Sequence, residues 1–356
     1  MKKSLSIILA LLLVLSLFAG CGKAAVETPA AEAPAAEAPA AEAPAAEEDP
    51  YDEVNIKLSL SGSEQGVDYL SAVHFKELLE ERSGGKVTVE VFPNAMLASG
   101  NMHTQLELLL QGDSFDMAVL GDLVLVNAVP SLKVINVPFS FADYETAEEL
   151  MNGTGGEWLK KAFAEKDIVY LAGLHNGLQQ LTNNKVAVHS PADLKNLKIR
   201  VIGDVQNSMF STMGADPISM SFGEIFSALQ NKTIDGEVNG FQTADSINLS
   251  EVQEYCTVWN ATYATFFFVA NSDFYAGLND ATKELIETAS KEAGTWGCEF
   301  IKSTEAELRA KWEANGVTII DLTADERQAF IDALSDLRES VKAEVGEEAC
   351  AAWNIK

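Results

Sequence analysis

The sequence is poor in the residues that most often carry chemistry. It holds four cysteines and four histidines. Apart from Cys21 near the start, Cys256, Cys298 and Cys350 are an odd number with no C-x-x-C spacing, so no redox pair is legible. A disulfide between two of the three stays open. His74, His103, His175 and His189 are scattered, without H-x-x-x-H or H-E-x-x-H, which leaves no basis for a metal site. There is no G-x-S-x-G and no G-K-[ST] phosphate loop. The G-T-G-G at 153–156 has too few correctly spaced glycines and no strand directly before it, so it reads as a turn. With no nucleophile, base or metal set and no cofactor motif, the chain is expected not to be an enzyme. Positive charge is scarce as well, with 25 Lys and Arg against 53 Asp and Glu and a formal net charge of -28. That excludes nucleic acid and anionic lipid as partners, and it makes any anionic ligand depend on local positive groups.

Long apolar runs are missing after the first. Lys2 and Lys3 precede an apolar stretch at 5–19, too short at about 1.5 Å per residue for a hydrocarbon core of roughly 30 Å. Residues 1–20 read as a secretory signal. L-F-A-G-C at 17–21 resembles the lipobox of bacterial lipoproteins, with Phe18 where leucine is preferred. The resemblance implies a lipidated Cys21 and a protein anchored to the outer face of a membrane without crossing it. A five-residue repeat of alanine, glutamate and proline follows. Its prolines interrupt helix and its glutamates repel, so 21–54 are expected to form an extended tether.

Beyond the tether, strand and helix patterns alternate. Ile56, Leu58 and Leu60 mark a strand, and Phe75, Leu78, Leu79 and Arg82 a helix stopped at Gly84 and Gly85. Val87, Val89 and Val91 mark a second strand; Met102, Leu106, Leu109 and Leu110 a second helix; 116–120 a third strand. This β-α-β-α-β order implies a parallel sheet with helices on both faces. Strands are read again at 168–173, 197–201, at C-T-V-W from Cys256 and at 265–271. Helices are read at 206–213, 222–229, 278–293 continuing through Trp312, and 324–345. Two such runs exceed one core, so two α/β domains are expected, with ligand in a cleft beyond the strand C-termini.

One arginine stands out within L-K-I-R-V. With period two, Leu197, Ile199 and Val201 share one face and Lys198, Arg200 and Ile202 the other, and the pattern alone leaves Arg200 on a solvated outer face.

D-L-K-N-L-K-I-R-V at 193–201 and M-G-A-D-P-I-S-M-S-F-G-E-I-F-S-A-L-Q-N-K-T-I-D-G-E-V-N-G at 213–240 resemble the solute-binding proteins of TRAP transporters, the DctP-type family. V-E-V-F-P-N-A-M-L, D-M-A-V-L, V-P-F-S-F at 137–141 and L-T-N-N-K at 181–185 support the match, which covers the chain from Asn55 onward. The resemblance implies a periplasmic-binding-protein-like, type II-like fold of two α/β domains. They would take 55–176 plus 265–304 and 177–264 plus 305–356, hinged to close on a small carboxylate. It further implies delivery of that solute to small and large membrane subunits driven by an ion gradient, a role for which a monomer suffices.

By the same resemblance Arg200 pairs with the ligand carboxylate, Asn239 contacts the ligand region, and Phe222, followed by Glu224, lines the cleft. Gly121 and Asp122 sit where the first domain approaches the ligand. Gln179 stands where many members carry a second arginine, which points away from a dicarboxylate or sialic acid and toward an acid with one charged end. Tyr263 and Phe266 can also face the ligand, but the T-F-F-F-V run reads as core. So do Trp158, Trp259, Trp296, Trp312 and Trp353. The competing readings are a binding lipoprotein of an ATP-driven importer with a neutral ligand, a binding protein that presents solute to a sensor, and a secreted hydrolase, the last disfavoured for want of a catalytic set.

Overall fold

In the computed structural model, which describes residues 50–356, eleven strands carry the fold. In chain order they are β1 (Val54–Leu60), β2 (Val87–Phe92), β3 (Met117–Gly121), β4 (Ile168–Leu178), β5 (Gln180–Asn183), β6 (Lys198–Val201), β7 (Asp216–Ser219), β8 (Gly236–Asn239), β9 (Tyr255–Val258), β10 (Tyr263–Asn271) and β11 (Thr318–Asp321). The signal, Cys21 and residues 21–49 of the tether lie outside the described residues. The last tether residues are built into the fold: Asp52 N donates to Thr282 Oγ1 at 2.8 Å, and Asp52 Oδ2 accepts from Asn279 N at 2.8 Å.

One sheet has the order β2-β1-β3-β10-β4 and the other β11-β9-β5-β8-β6-β7, both within one compact unit. The alternating valines and leucines of β1, β2 and β3 pair in parallel, as their pattern predicts. The sheet is nevertheless mixed, because β10 runs antiparallel to both β3 and β4. That strand enters from the second sheet, so the right-handed β-α-β rule that enforces parallel pairing does not act on it. The second sheet is mixed too, with β5 antiparallel to β8 and β9. Its β7 carries Pro217 at an edge, where a missing N–H breaks no ladder.

The chain passes between the sheets at Gly177 to Gln180 and again between β9 and β10. A 35-residue helix, Asp280–Ala314, also spans them: it packs on β4 and on the helix Val67–Arg82, and further along on β11 and the helix Phe241–Asp245. It is the helix expected at 278–293 and continuing through Trp312. The helix expected at 324–345 is instead two, Ala324–Ala333 and Ser335–Ala352, broken at Leu334. The G-T-G-G at 153–156 is the start of the helix Thr154–Ala164, where a Cβ at Gly155 would lie 2.9 Å from the Trp353 ring.

Cys256, Cys298 and Cys350 are all free thiols, so the disulfide left open by the sequence does not form. Among the described residues no helix is long and apolar enough to cross a membrane.

Candidate functional site

The C-terminal ends of β1, β3, β6 and β8 converge on a single cavity, which leaves about 50 Å³ for the centres of water-sized atoms. Strand ends are where an α/β sheet exposes unpaired backbone groups and the loops that follow them. Arg200, Asn239, Phe222, Gly121 and Asp122 all line the cavity, as do Asp68, Asn176 and Phe266. Of the residues named from the sequence, Gln179 and Glu224 lie outside it.

Arg200 is 1 % exposed, not solvated. The polar face of β6 is covered at its C-terminal end because Ile202 and Arg200 turn into the cleft, while Ile199 and Val201 enter the core with Leu194 and Phe210. Its Nε donates to Met220 O at 3.1 Å, and its Nη2 is buried without a hydrogen-bond partner. Burial lowers the guanidinium to about 10, opposed by the charges of Glu237 and Glu224, so it stays protonated at neutral pH. A buried guanidinium with an unpaired N–H edge on a cavity is a receptor for an acceptor-rich group, above all a carboxylate.

Glu237, like Asp68 on the cavity wall, is a residue that sequence reasoning missed. It sits directly beside Arg200 in the β6–β8 register and is fully buried. Asn239 Nδ2 donates to Glu237 Oε2, and Thr182 Oγ1 donates to Oε1 at 3.4 Å. Burial pushes the Glu237 carboxyl up to about 7, against the pull of Arg200 and of these donors. One further pair spans the cavity wall, with Thr243 Oγ1 donating to Asn176 Oδ1 at 2.6 Å.

Gln179 plays a different part from the arginine whose position it takes. With its amide oxygen and nitrogen exchanged, which gives both a partner, it donates to Val238 O and accepts from Gly240 N, each at 3.2 Å, and so fastens the end of β8 that carries Asn239. Glu224 closes a capping box with Ser221, accepting from Ser221 N at 2.9 Å. Phe266 belongs to the core, as read, and also forms a wall of the cavity, whereas Tyr263 is buried in the core only and its hydroxyl lies 2.7 Å from His175 Nδ1.

The rim is laced shut on one side. Ser63 Oγ donates to Ser246 O at 3.1 Å, Val67 N to Gln242 Oε1 at 3.0 Å, and Gln242 Nε2 to Gln65 O at 2.8 Å. Away from the cavity, Glu148, His175 and Cys298 bring ligand-type atoms within 4.8 Å of one another, a grouping invisible in the sequence. Lys302 Nζ already pairs with Glu148 Oε2 at 2.9 Å there.

Three buried carboxyls give the fold an acid preference. Burial raises Asp68 and Asp122 to about 6 and Glu237 to about 7, so the folded state takes up their protons before the unfolded chain does. Stability from these groups therefore grows as pH falls through 7 toward 4, by about 1.4 kcal/mol for each tenfold gain in proton affinity on folding. His175, which burial lowers to about 3, has the opposite sign and costs stability as pH falls below its ordinary 6.5. Three groups against one predict a melting temperature higher at pH 5.5 than at pH 7.5, and Asp68→Asn should narrow the difference. A thermal midpoint that falls steadily as the pH is lowered over that range would contradict the assignment.

The family model for bacterial extracellular solute-binding protein, family 7, matches residues 59–344. The 2,3-diketo-L-gulonate-binding periplasmic protein YiaO of Escherichia coli is 28% identical over 283 residues, which cover 79% of this chain and 85% of that protein. A solved TRAP periplasmic solute-binding protein from Shewanella oneidensis, with bound succinate, has a TM-score of 0.77 at 30% identity, covering 84% of this chain and 99% of that one. Another, from Ralstonia eutropha H16 with bound (S)-2-acetolactate, has a TM-score of 0.81 at 25% identity, covering 84% and 98%.

Proposed function

This chain belongs to the bacterial extracellular solute-binding proteins of family 7, and from that premise we propose that it is the extracytoplasmic receptor of a TRAP transporter, capturing a small organic acid on Arg200. The observation that carries the reading is the buried, unpartnered Nη2 of Arg200 on a cavity formed by strand ends. Asn239 orients Glu237 beside it, Phe222 and Phe266 supply apolar walls, and Gly121 and Asp122 complete the opposite side. The two sheets act as the two lobes of the expected domains, 55–176 with 265–304 and 177–264 with 305–356, closing about the strands that pass between them. Lipidation of Cys21 holds the receptor at the membrane, the 21–54 tether gives it reach, and the small and large membrane subunits take the solute from it.

An ATP-driven importer with a neutral ligand fits less well, because the free Nη2 edge of Arg200 is matched best by a charged acceptor. One charged hydrogen bond contributes about 1.5 to 3 kcal/mol, and a micromolar dissociation constant needs about 8 kcal/mol. Arg200 thus selects the class of ligand, and the aromatic walls and closure supply the remainder.

A thermal-shift panel of carboxylates, sugar acids and neutral sugars tests this. A ligand at a hundred times its dissociation constant adds about 2.7 kcal/mol to the folded state and raises the midpoint. The expected result is a shift confined to acids; a shift given by neutral sugars alone would transfer the chain to the importer class.

A further inference from the structure

Arg200 is the one cation among the cavity's described lining residues, and Asp68 and Asp122 line the same space. Both carboxylates are buried, 1 % and 0 % exposed, and no cation among the described residues acts on either. Glu237 adds a third negative group directly behind the guanidinium. With all four groups ionised the site is net negative before any ligand enters. A diacid would set its second carboxylate against Asp68 and Asp122 in a place with little water to screen them.

Asp122 has structural duties: Oδ1 accepts from Thr265 N at 3.0 Å and Oδ2 from Asn136 Nδ2. Asp68 has Oδ2 accepting from Gly62 N at 2.8 Å, with the backbone N–H groups of Asp68 and Tyr69 also against its carboxylate, and no side-chain donor among them. The loop is nevertheless shaped around it. A Cβ at Gly62 would lie 2.3 Å from Asp68 Oδ1, and one at Gly66 2.5 Å from the same oxygen. A carboxylate buried at the wall of a ligand cavity, with the backbone pared to glycine on both sides to admit it, is a built acceptor.

Resting on the reading of Arg200 as a carboxylate receptor, we propose that the ligand is a small amino acid or other ammonium-bearing acid, its carboxylate on Arg200 and its ammonium on Asp68, with Asp122 close by. The two ends of such a ligand match the two signs of charge in the cavity, and its addition leaves the net charge of the site unchanged. Hydrogen bonds from the ammonium satisfy Asp68 without requiring it to take up a proton. The enclosed part of the cavity suits a short chain.

The test is calorimetric titration of the purified full-length chain at pH 7.5 with length-matched acids: β-alanine, 3-hydroxypropionate and malonate; γ-aminobutyrate, 4-hydroxybutyrate and succinate; and alanine, lactate and methylmalonate. The expected result is that the amino acid of a binding set binds at least tenfold more tightly than its diacid and its hydroxy acid. Asp68→Asn, which keeps size and an acceptor for Gly62 N, should reduce that preference to less than threefold. Tighter binding of the diacid or the hydroxy acid overturns the proposal, as does an unchanged preference in Asp68→Asn. If binding vanishes in Arg200→Ala while the diacid still wins in the wild type, only this inference falls. If acids bind Arg200→Ala as well as the wild type, the carboxylate reading itself falls.

Discussion

Arg200→Ala lowers affinity for an acid ligand at least a hundredfold, equivalent to about 2.7 kcal/mol. Two losses combine. The ligand carboxylate loses a charged, fork-shaped donor in a desolvated site, and Glu237 loses the positive charge beside it. Glu237 responds by holding a proton to higher pH, so the variant keeps its fold while its cavity loses its one cation. Arg200→Lys recovers little, because the Nε–Met220 O hydrogen bond that aims the fork has no counterpart in a lysine. Calorimetric titration of the three proteins measures this, and an alanine variant within threefold of the wild type would remove Arg200 from the binding site.

Gly236→Ala is expected to destabilise the protein by about 3 kcal/mol or more, at the upper end of what overpacking does. Gly236 lies in β8 between β5 and β6, opposite Asn183 and Ile199. A Cβ there would stand 2.0 Å from Thr182 O and 3.0 Å from Asn183 Cα. These are backbone atoms, so no rotamer change relieves the clash and the strands must separate. Because β8 carries Glu237 and Asn239, the same shift should also weaken binding. Gly277→Ala, where a Cβ meets nothing within 4 Å, serves as the control and should stay within about 0.5 kcal/mol. Equal denaturation midpoints for the two variants would show that the β5–β8 contact is looser than described.

What the sequence discloses divides along physical lines. Strands β1 to β3 and the helices between them are legible because alternation or a helical stripe extends over several residues and glycines end them. Strands β5, β7 and β8 read Q-L-T-N, D-P-I-S and G-E-V-N, short and polar, and their identity comes from partners remote in the chain. The direction of β10 is illegible for a related reason, since it depends on where the chain returns from. At the site, Arg200, Phe222, Asn239 and Asp122 could be named from motifs. Asp68 and Glu237 could not, because two buried carboxylates among 53 acidic residues carry no local mark of their burial.

The helix Asp280–Ala314 is about 52 Å long at 1.5 Å per residue. Where it leaves β4 and approaches the second sheet, Ser303 Oγ and Thr304 Oγ1 both donate to Phe300 O, at 3.0 and 2.8 Å, a bonding pattern that softens the helical ladder locally. The helix is packed against elements of both sheets, and the hydroxyl-bonded turn lies between those two contacts. Under the proposed hinge closure, widening of the cleft would flex that turn, and the stiffness of two hydroxyl-bearing residues outside the cavity lining would enter the residence time of the proposed ligand on Arg200.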